Sequence, residues 1–322
     1  MKKTVIGSYI SGRLGNQMFQ YAFVRALMHS HTEETEIVFN FKRVMMAGKS
    51  TDGFEDALQY FNVQPYKSTD RNLVLSYGTP LQILFYLLYI FCVKIRIIPR
   101  EKNEGFWYPL FRSKGLLYSS MSDNRYTVYN QIFEDLLSKR NFICSGKYEN
   151  PMFFDHIRPI LLDEFTPKCP PLAENGTLYD TIEQTNSVCV SIRRGDFLSS
   201  NNKKSFFVCD EFYFQKAIEI VRKMIRNPTL IFFSDDIEWV KEHIKTDLPS
   251  YYESGADPVW EKLRLMYSCK HFIISNSTFS WWAQYLSRNE QKIVISPDRW
   301  GNDVRHNNVS YLLSDYFIKV PC

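Results

Sequence analysis

The chain has 322 residues, 45% of them hydrophobic and 23% charged, and its formal net charge is +4. At roughly 100–200 residues per domain this length predicts two domains, and the composition excludes wholesale disorder. The Lys and Arg residues are spread along the chain instead of forming a basic block, so the charge does not indicate a nucleic-acid partner. The sequence is that of a globular protein with two cores.

The cysteines and the apolar runs bear on location. The seven cysteines are odd in number and lack the close paired spacings of a zinc site or a disulfide framework, which favours the reducing cytoplasm. The apolar stretch after Lys2 and Lys3 is too short for a signal peptide. A second run, over residues 83–93, is about half the ~20 residues that span a bilayer. We interpret it as a buried helix; the alternative is peripheral contact with the inner membrane face, since Lys94 and Arg96 follow it.

The first recognisable unit is a strand over residues 4–8, a glycine turn and a helix from about residue 16 to 30, whose apolar residues recur at helical spacing. Residues 56–148 are less regular and rich in Tyr and Phe; they predict helices and loops, and we expect contacts with an acceptor there. The prolines of residues 165–171 and the turn at Glu174-Asn175-Gly176 indicate a linker, which places the domain boundary between residues 165 and 166.

Beyond the boundary, short apolar strands alternate with helices. The strands fall at residues 188–192, 230–233, 272–274 and 293–295, and this alternation predicts an α/β domain with a parallel sheet. The clearest helix follows Asp210, which can cap its start. Its predicted buried face consists of Phe214, Ala217, Ile218, Val221, Met224 and Ile225.

Ligands of an open parallel sheet bind beyond the carboxyl ends of the strands. Polar residues occupy four such ends, and together they predict a ligand site. The four segments are Gly12-Arg13-Leu14-Gly15-Asn16-Gln17, Arg193-Arg194-Gly195-Asp196, Ser234-Asp235-Asp236 and Ser275-Asn276-Ser277-Thr278.

The glycine turn can wrap a phosphate, because glycine lets the backbone approach and the following helix N-terminus offers N–H groups; an ordinary tight turn is the alternative. It has neither the Lys-Ser/Thr of a Walker A loop nor the G-x-G-x-x-G spacing, so an ATPase or a classical dinucleotide site is not indicated.

Arg193 and Arg194 are suited to a phosphate, because guanidinium groups bind phosphate oxygens in bidentate geometry and keep their charge. Strand alternation predicts that one faces the ligand and the other supports it; the alternative is a surface salt bridge with Asp196. The tripeptide Arg194-Gly195-Asp196 is also an adhesion signal in other proteins, but that role requires an exposed hairpin tip.

The remaining two segments admit several roles. Asp235 and Asp236 can hold a ribose, orient an arginine or bind a metal, and Asp236 can cap the helix that begins at Ile237. No Asp-x-Asp element or histidine is nearby, which disfavours the metal. Ser277 and Thr278 cap a helix that starts near Phe279, where a second phosphate can bind.

Four stretches of this sequence, residues 12–22, 192–197, 233–236 and 275–282, resemble in the same order the alpha-1,2-fucosyltransferases of glycosyltransferase family 11. The resemblance implies a GT-B-like α/β fold, with two Rossmann-like domains whose parallel sheets face a cleft. The N-terminal domain, residues 1–165, would lie on the acceptor side, and the C-terminal domain, residues 166–322, would bind GDP-fucose. It also implies inverting, metal-independent transfer of fucose to O2 of a galactose-terminated glycan, without a cofactor, in surface polysaccharide or O-antigen synthesis.

The resemblance also implies roles for individual residues. Arg193 would grip the donor diphosphate, Arg194 and Asp196 would brace its loop, Ser277 and Thr278 would add phosphate contacts, and the loop from Gly12 to Gln17 would close from the other domain. Asp196 is also our hypothesis for the general base, with orientation of Arg193 as the alternative.

Two positions depart from the family. Many relatives have His at Ser191 and a carboxylate at Lys262. Guanine recognition then falls to Glu261 or Asp257. Another nucleotide-sugar transferase and a non-catalytic carbohydrate or adhesion module are the competing hypotheses.

Overall fold

The computed structural model describes residues 3–31, 34–47, 54–95, 110–118, 141–198, 203–302 and 310–322. The chain divides into two compact units, of which the first comprises Met1–Gln59 and Val63–Leu161 and the second Tyr60–Asn62 and Leu162–Cys322. The main division therefore lies slightly before the predicted boundary at 165. Tyr60–Asn62 joins the second unit because the Lys168 amide donates to the Tyr60 carbonyl and the Asn62 amide donates to the Thr166 carbonyl.

The first unit contains a five-stranded sheet, parallel throughout, in the order β3-β2-β1-β5-β4. The strands are β1 Thr4–Tyr9, β2 Thr35–Asn40, β3 Tyr66–Thr69, β4 Leu116–Tyr118 and β5 Asn141–Ser145; the described helices are Leu14–Ser30, Lys42–Ala47, Leu73–Tyr77, Pro80–Lys94 and Arg158–Glu164, the last of which contains the division. The chain adds β2 and β3 on one side of β1 and then β4 and β5 on the other side. The strand order therefore reverses between β1 and β5.

Two predictions for this unit are wrong. Residues 56–148 contain β3, β4 and β5 as well as helices; β3 is a half-exposed Tyr-Lys-Ser-Thr edge strand and β4 has three residues, so neither shows a recognisable apolar pattern. The apolar run at 83–93 does form a helix, but that helix is not buried. One side packs on the core through Ile83, Tyr86 and Tyr89, whereas Phe91 on the other side is 59% exposed.

The second unit contains a six-stranded sheet, also parallel throughout, in the order β11-β10-β9-β6-β7-β8. The strands are β6 Asn186–Ile192, β7 Pro228–Ser234, β8 Ser250–Tyr252, β9 His271–Ile273, β10 Val294–Pro297 and β11 Ile318–Val320; the described helices are Gly176–Gln184, Lys203–Phe206, Glu211–Met224, Ile237–His243, Val259–Ser268 and Thr278–Leu286. The chain leaves β6 toward β8 and returns to β9 on the other side, so the reversal lies between β6 and β9.

The α/β class and the parallel sheets are confirmed in both units. The four strands predicted for the second unit are present as β6, β7, β9 and β10. The two longest, β6 and β7, are buried on both faces and mostly apolar, which made them recognisable in the sequence. The Asp210 carboxylate caps the helix Glu211–Met224 by accepting from the Tyr213 amide at 2.9 Å. The prediction that Met224 lies on the buried face is wrong, because Met224 is the last residue of the helix and its side chain is exposed.

No helix in the described ranges combines the length and the apolarity that a membrane span requires.

Candidate active site

The carboxyl ends of β6 and β7 bring the two arginines and the two aspartates together. The strands are paired in parallel over their whole length, with Ile192 opposite Ser234. The residues that follow each strand, Arg193 and Asp235 among them, therefore emerge at the same edge of the sheet. The strand order reverses between β6 and β9, so this edge lies at the topological switch point, where an open α/β sheet leaves room for a ligand.

Arg193 pairs with Asp235. Its Nη1 atom lies 2.6 Å from the Asp235 Oδ2, and each side chain is about three-quarters buried. The guanidinium also lies 6.0 Å from the centroid of the Phe197 ring. A charge-assisted pair of this length fixes the direction of the guanidinium group.

Arg194 is held in a separate way. Its amide donates to the Asp235 Oδ1 at 2.9 Å, its Nε donates to the Asp236 Oδ2 at 3.2 Å, and its guanidinium carbon lies 3.4 Å from the centroid of the Trp239 ring. The side chain is only 16% exposed. These contacts favour the supporting role for Arg194 and leave Arg193 as the arginine suited to a ligand.

The aspartates act here as partners of the arginines. Asp235 orients Arg193 and receives the Arg194 amide. Asp236 pairs with Arg194 and also caps the helix Ile237–His243 by accepting from the Trp239 amide, which confirms the capping interpretation. Of the roles considered for this pair, the structure supports orientation of an arginine.

Gly195 lets Asp235 approach this loop closely. A Cβ atom at Gly195 would lie 2.4 Å from the Asp235 Oδ2, much closer than two non-bonded atoms can come. Any other residue would displace the carboxylate that holds Arg193. Residues Gly195–Leu198 form a short 3-10 helix, so the Arg-Gly-Asp tripeptide does not lie at a hairpin tip.

The side chain of Asp196 lies outside the described residues. Its assignments as general base and as a brace for the arginine loop therefore stay predictions.

Buried serine hydroxyls connect β6, the segment after β9 and the helix Thr278–Leu286. The Ser280 Oγ lies 2.6 Å from the Ser191 Oγ and 3.1 Å from the Ser275 Oγ. This cluster lies between β6 and β9, where the strand order reverses. It fixes the start of the helix Thr278–Leu286 relative to the arginine loop. Sequence reasoning did not single out Ser280; the polar position at the end of the otherwise apolar strand β6 was the available signal.

The fourth polar segment combines a structural residue and a helix start. Asn276 is buried, and its amide group donates to the carbonyls of Phe206 and Trp300, so it joins loops within the second unit. Ser277 precedes the helix Thr278–Leu286 as its N-cap residue, but its hydroxyl makes no capping hydrogen bond. This arrangement leaves the Ser277 hydroxyl available to a ligand. The phosphate roles of Asn276, Ser277 and Thr278 stay predictions.

The glycine turn of the first unit is tightly braced. Gly12 has φ +80°, a conformation that favours glycine, and the helix begins at Leu14. The buried Gln17 donates to the carbonyls of Gly12 and Glu55 and accepts from the Ala57 amide. Both the nitrogen and the oxygen of the Gln17 side-chain amide are therefore used to hold the glycine turn in place. The Arg13 Nε is buried, and none of the described residues forms a hydrogen bond with it.

The residues considered for guanine have structural contacts. Glu261 is fully buried; its Oε1 accepts from the Leu172 amide, Asn175 and Tyr179, and its Oε2 pairs with Arg264 at 2.9 Å. These contacts favour a role in holding the second unit together. Asp257 accepts from Asn175 and Ser254 and is only partly buried. Guanine recognition by either residue stays a prediction.

Lys262, at one of the two positions expected to depart from the family, forms an ion pair. Its Nζ lies 3.2 Å from the Oε2 of the buried Glu253, without hydrogen-bond geometry. Burial raises the pKa of the Glu253 carboxyl, and Lys262 partly offsets that rise. A carboxylate is therefore present beside this position, contributed by the residue after β8.

In the part of the chain that the structure describes, no group of three or more His, Cys, Asp or Glu residues is arranged to hold a metal ion.

The model of glycosyl transferase family 11 matches residues 125–317, which is more than half of the chain. The chain belongs to glycosyltransferase family 11. This membership makes it a glycosyltransferase and confirms the family that the four polar segments indicated. The arginine pair, its aspartates and the serine cluster all lie within the matched range.

The comparisons with curated proteins give bacterial and mammalian relatives. The O-antigen biosynthesis glycosyltransferase WbnK of Escherichia coli is 28% identical, over 97% of this chain and 99% of its own length. The alpha-1,2-colitosyltransferase of Escherichia coli is also 28% identical, over 92% of each chain. The galactoside alpha-(1,2)-fucosyltransferase 2 of Mus musculus is 26% identical over 60% of each chain.

Among solved structures, the Bradyrhizobium NodZ alpha-1,6-fucosyltransferase soaked with GDP-fucose has a TM-score of 0.50 to this family 11 chain. Its sequence is 11% identical, and the match covers 92% of this chain and 96% of that chain. The likeness concerns the fold alone, and with the two parallel sheets it supports the GT-B-like α/β class.

Proposed function

We propose that this chain transfers L-fucose from GDP-beta-L-fucose, with inversion, to the 2-hydroxyl of a galactose in a bacterial surface glycan. The observation that carries the proposal is the Arg193–Asp235 pair at the carboxyl edge of the second sheet, where the family's donor-binding arginine is expected. The galactoside alpha-(1,2)-fucosyltransferase among the relatives supports the linkage, and WbnK supports the polysaccharide context.

The chemistry requires a cation at the leaving group. The acceptor oxygen forms a bond to C1 of fucose while the bond from C1 to the diphosphate oxygen breaks, and the acceptor hydroxyl gives up its proton to a base. Negative charge grows on the departing GDP. Preorganised charges at such a position lower the activation barrier by several kcal/mol. We assign this task to Arg193, with Ser277 and the amides of the following helix.

We keep Asp196 as the proposed base, because it follows the arginines directly in the sequence. Asp196→Asn should lower kcat with little change in the donor KM if Asp196 removes the acceptor proton. Equal turnover in the variant would remove Asp196 from this role.

A second donor deserves a direct test, because one relative is an alpha-1,2-colitosyltransferase. Colitose is fucose without its 3-hydroxyl, so both sugars suit the same diphosphate site. We expect GDP and GDP-fucose to raise the melting temperature and UDP-sugars to leave it unchanged, since only ligands of the native state stabilise it. Turnover of GDP-fucose and GDP-colitose with lactose, N-acetyllactosamine and Gal-beta-1,3-GalNAc then decides the donor and acceptor. Stabilisation by UDP-sugars alone would contradict the proposed function.

The apolar helix Pro80–Lys94 supports a further proposal about location, namely peripheral binding to the inner membrane face in the cytoplasm. Leu81, Leu84, Leu88, Phe91 and Ile95 are exposed and form one stripe at helical spacing. Residues 71–100 contain no Asp or Glu and four basic residues, which suits an anionic lipid surface.

Co-sedimentation with vesicles tests the membrane proposal. We expect binding to vesicles that contain phosphatidylglycerol and much weaker binding to pure phosphatidylcholine. Binding should be lost in a Leu84→Ser, Phe91→Ser double variant that keeps its melting temperature. Equal binding by the double variant and the wild type would contradict a role for this helix.

A further inference from the structure

A buried carboxylate lies at the carboxyl edge of the first sheet, in the segment after β5. Glu149 is only 6% exposed. Its carboxylate makes no hydrogen bond and no ion pair among the residues that the structure describes, and the charged group that acts on it is Lys147. Asp56 in the same unit contrasts with it, since that carboxylate accepts from the Tyr66 hydroxyl at 2.8 Å.

Such a carboxylate destabilises the folded chain. Burial removes most of the water around the carboxylate, no hydrogen bond from the described residues replaces that water, and folded proteins rarely retain such groups. The same burial raises the pKa of the Glu149 carboxyl, against a smaller lowering by Lys147. A side chain kept in this state is best explained by a ligand that supplies the missing hydrogen bonds.

The segment that carries Glu149 is fixed in place. Tyr148 has φ +54°, a strained value for a residue with a bulky side chain. Its ring stacks on Phe23 with the centroids 3.9 Å apart, and its hydroxyl donates to the Leu117 carbonyl. Glu149 is therefore positioned before any ligand arrives, as binding residues generally are.

Other polar groups of the first unit lie at the same edge of the sheet. Tyr9 ends β1 and Tyr118 ends β4, so both lie at the same sheet edge as the segment after β5. The Arg43 guanidinium lies 5.7 Å from the centroid of the Tyr9 ring, and its charge acts on both Tyr118 and Lys147. The strand order reverses between β1 and β5, and ligands of an open parallel sheet bind at such a switch point.

The chemistry of these groups favours a neutral sugar. A carboxylate accepts hydrogen bonds from sugar hydroxyls but repels a diphosphate, and Lys and Arg donate to hydroxyl and ring oxygens. Tyrosine rings provide apolar faces for the C–H side of a sugar. We propose that Glu149, with Lys147 and Arg43, binds the hydroxyl groups of the acceptor sugar. The proposal rests on the proposed glycosyl transfer and assigns the acceptor subsite to the first unit.

The test compares Glu149→Gln with Glu34→Gln. Both substitutions replace a carboxylate by an amide in the same unit, but Glu34 is exposed, pairs with Lys3 and lies just before β2, at the amino edge of the sheet. We expect Glu149→Gln to raise the KM for N-acetyllactosamine about tenfold or more, the size of one lost charge-assisted hydrogen bond. The KM for GDP-fucose should stay within about twofold of the wild type in both variants.

Thermal melting separates binding from structure. Removal of a buried charge without hydrogen bonds should leave the melting temperature of Glu149→Gln no lower than that of the wild type. A raised acceptor KM together with a lowered melting temperature would indicate a structural residue and overturn the proposal. If Glu149→Gln fails to fold, Arg43→Ala on the exposed helix Lys42–Ala47 replaces it, with a severalfold rise in acceptor KM expected and an unchanged KM contradicting the subsite.

Saturation-transfer NMR with N-acetyllactosamine, lactose and Gal-beta-1,3-GalNAc in the presence of GDP gives a readout that does not require turnover. A signal with the wild type that disappears in Glu149→Gln supports the subsite. Equal signals in both proteins, or none with any of these sugars, would overturn it. Transfer by the wild type with an unchanged acceptor KM in Glu149→Gln would reject the subsite alone, whereas GDP binding without any transfer would reject the proposed reaction.

Discussion

The two sheets carry charged residues at their carboxyl edges in different ways. In the second unit Arg193 and Arg194 each pair with an aspartate, and Trp239 covers one of them. In the first unit the Glu149 carboxylate is buried, and no residue of the described ranges forms an ion pair with it. A guanidinium that must meet a mobile diphosphate benefits from a partner that keeps it oriented beforehand. A carboxylate that receives sugar hydroxyls needs its lone pairs unoccupied, so the difference is the one expected if the two edges bind the ligands that we propose.

The largest effect is expected from the loss of Arg193, and an active variant without it would contradict the contrast between the two edges. Arg193→Ala should lower kcat/KM for transfer about 100- to 1,000-fold, because it removes the cation that we propose stabilises the leaving diphosphate. Labelled fucose transferred from GDP-fucose measures this loss. Arg222→Ala is the control, since Arg222 pairs with the exposed Asp247 in the same unit, and its activity should stay within about twofold.

Gly195→Ala tests whether the close approach of Asp235 matters. The added Cβ would meet the Asp235 Oδ2 at 2.4 Å and displace the carboxylate that orients Arg193. We expect kcat/KM to fall about ten- to a hundredfold, the usual effect of a misplaced catalytic group. Gly176→Ala adds the same atom where nothing lies within 4 Å, and wild-type kinetics are expected there. Equal activity of the two variants would show that the loop tolerates the shift.

Asp235→Asn leaves Arg193 in place but removes the charge that directs it. The expected fall in kcat/KM is about tenfold, since one charge-assisted pair becomes a neutral contact. Asp247→Asn, at the exposed partner of Arg222, serves as the comparison and should be silent. A silent Asp235→Asn would mean that Arg193 needs no partner, contrary to the contrast between the two edges.

Trp239→Leu should have a smaller effect. It removes the ring beneath the Arg194 guanidinium, a cation–π contact of about 0.5–1 kcal/mol, and we expect the KM for GDP-fucose to rise about two- to fivefold. Initial-rate kinetics at varied donor concentration measure the change. A larger fall in kcat than rise in KM would instead assign Arg194 a direct part in the reaction.

The smallest effect is expected from metal removal. If arginine supplies the charge at the leaving group, treatment with EDTA followed by assay in metal-free buffer should change kcat by less than about twofold. Loss of activity that Mg²⁺ or Mn²⁺ restores would contradict the metal-independent reaction.

Sequence reasoning succeeded where strands are long and fully buried. The mostly apolar, buried strands β6 and β7 placed Arg193, Arg194, Asp235 and Asp236 at one edge, and the structure brings all four together. It could not assign partners, because pairing of Arg193 with Asp235 depends on a strand register that only the folded sheet fixes.

It was weaker where side chains serve the fold instead of a ligand. Gln17 and Glu261 look like binding residues within their motifs, yet the folded chain uses their polar atoms in internal hydrogen bonds. Glu149 was missed for a related reason. Residues 141–145 were not recognised as a strand, so the polar segment after them was not examined as a strand end.

The central claim is that Arg193 meets the diphosphate of the donor, and isothermal titration with GDP and GMP tests it most directly. The wild type should prefer GDP to GMP by about tenfold or more, since GDP adds the second phosphate that Arg193 binds. Arg193→Ala should lose this preference while its affinity for GMP stays close to that of the wild type. A variant that keeps the full preference for GDP would contradict the account.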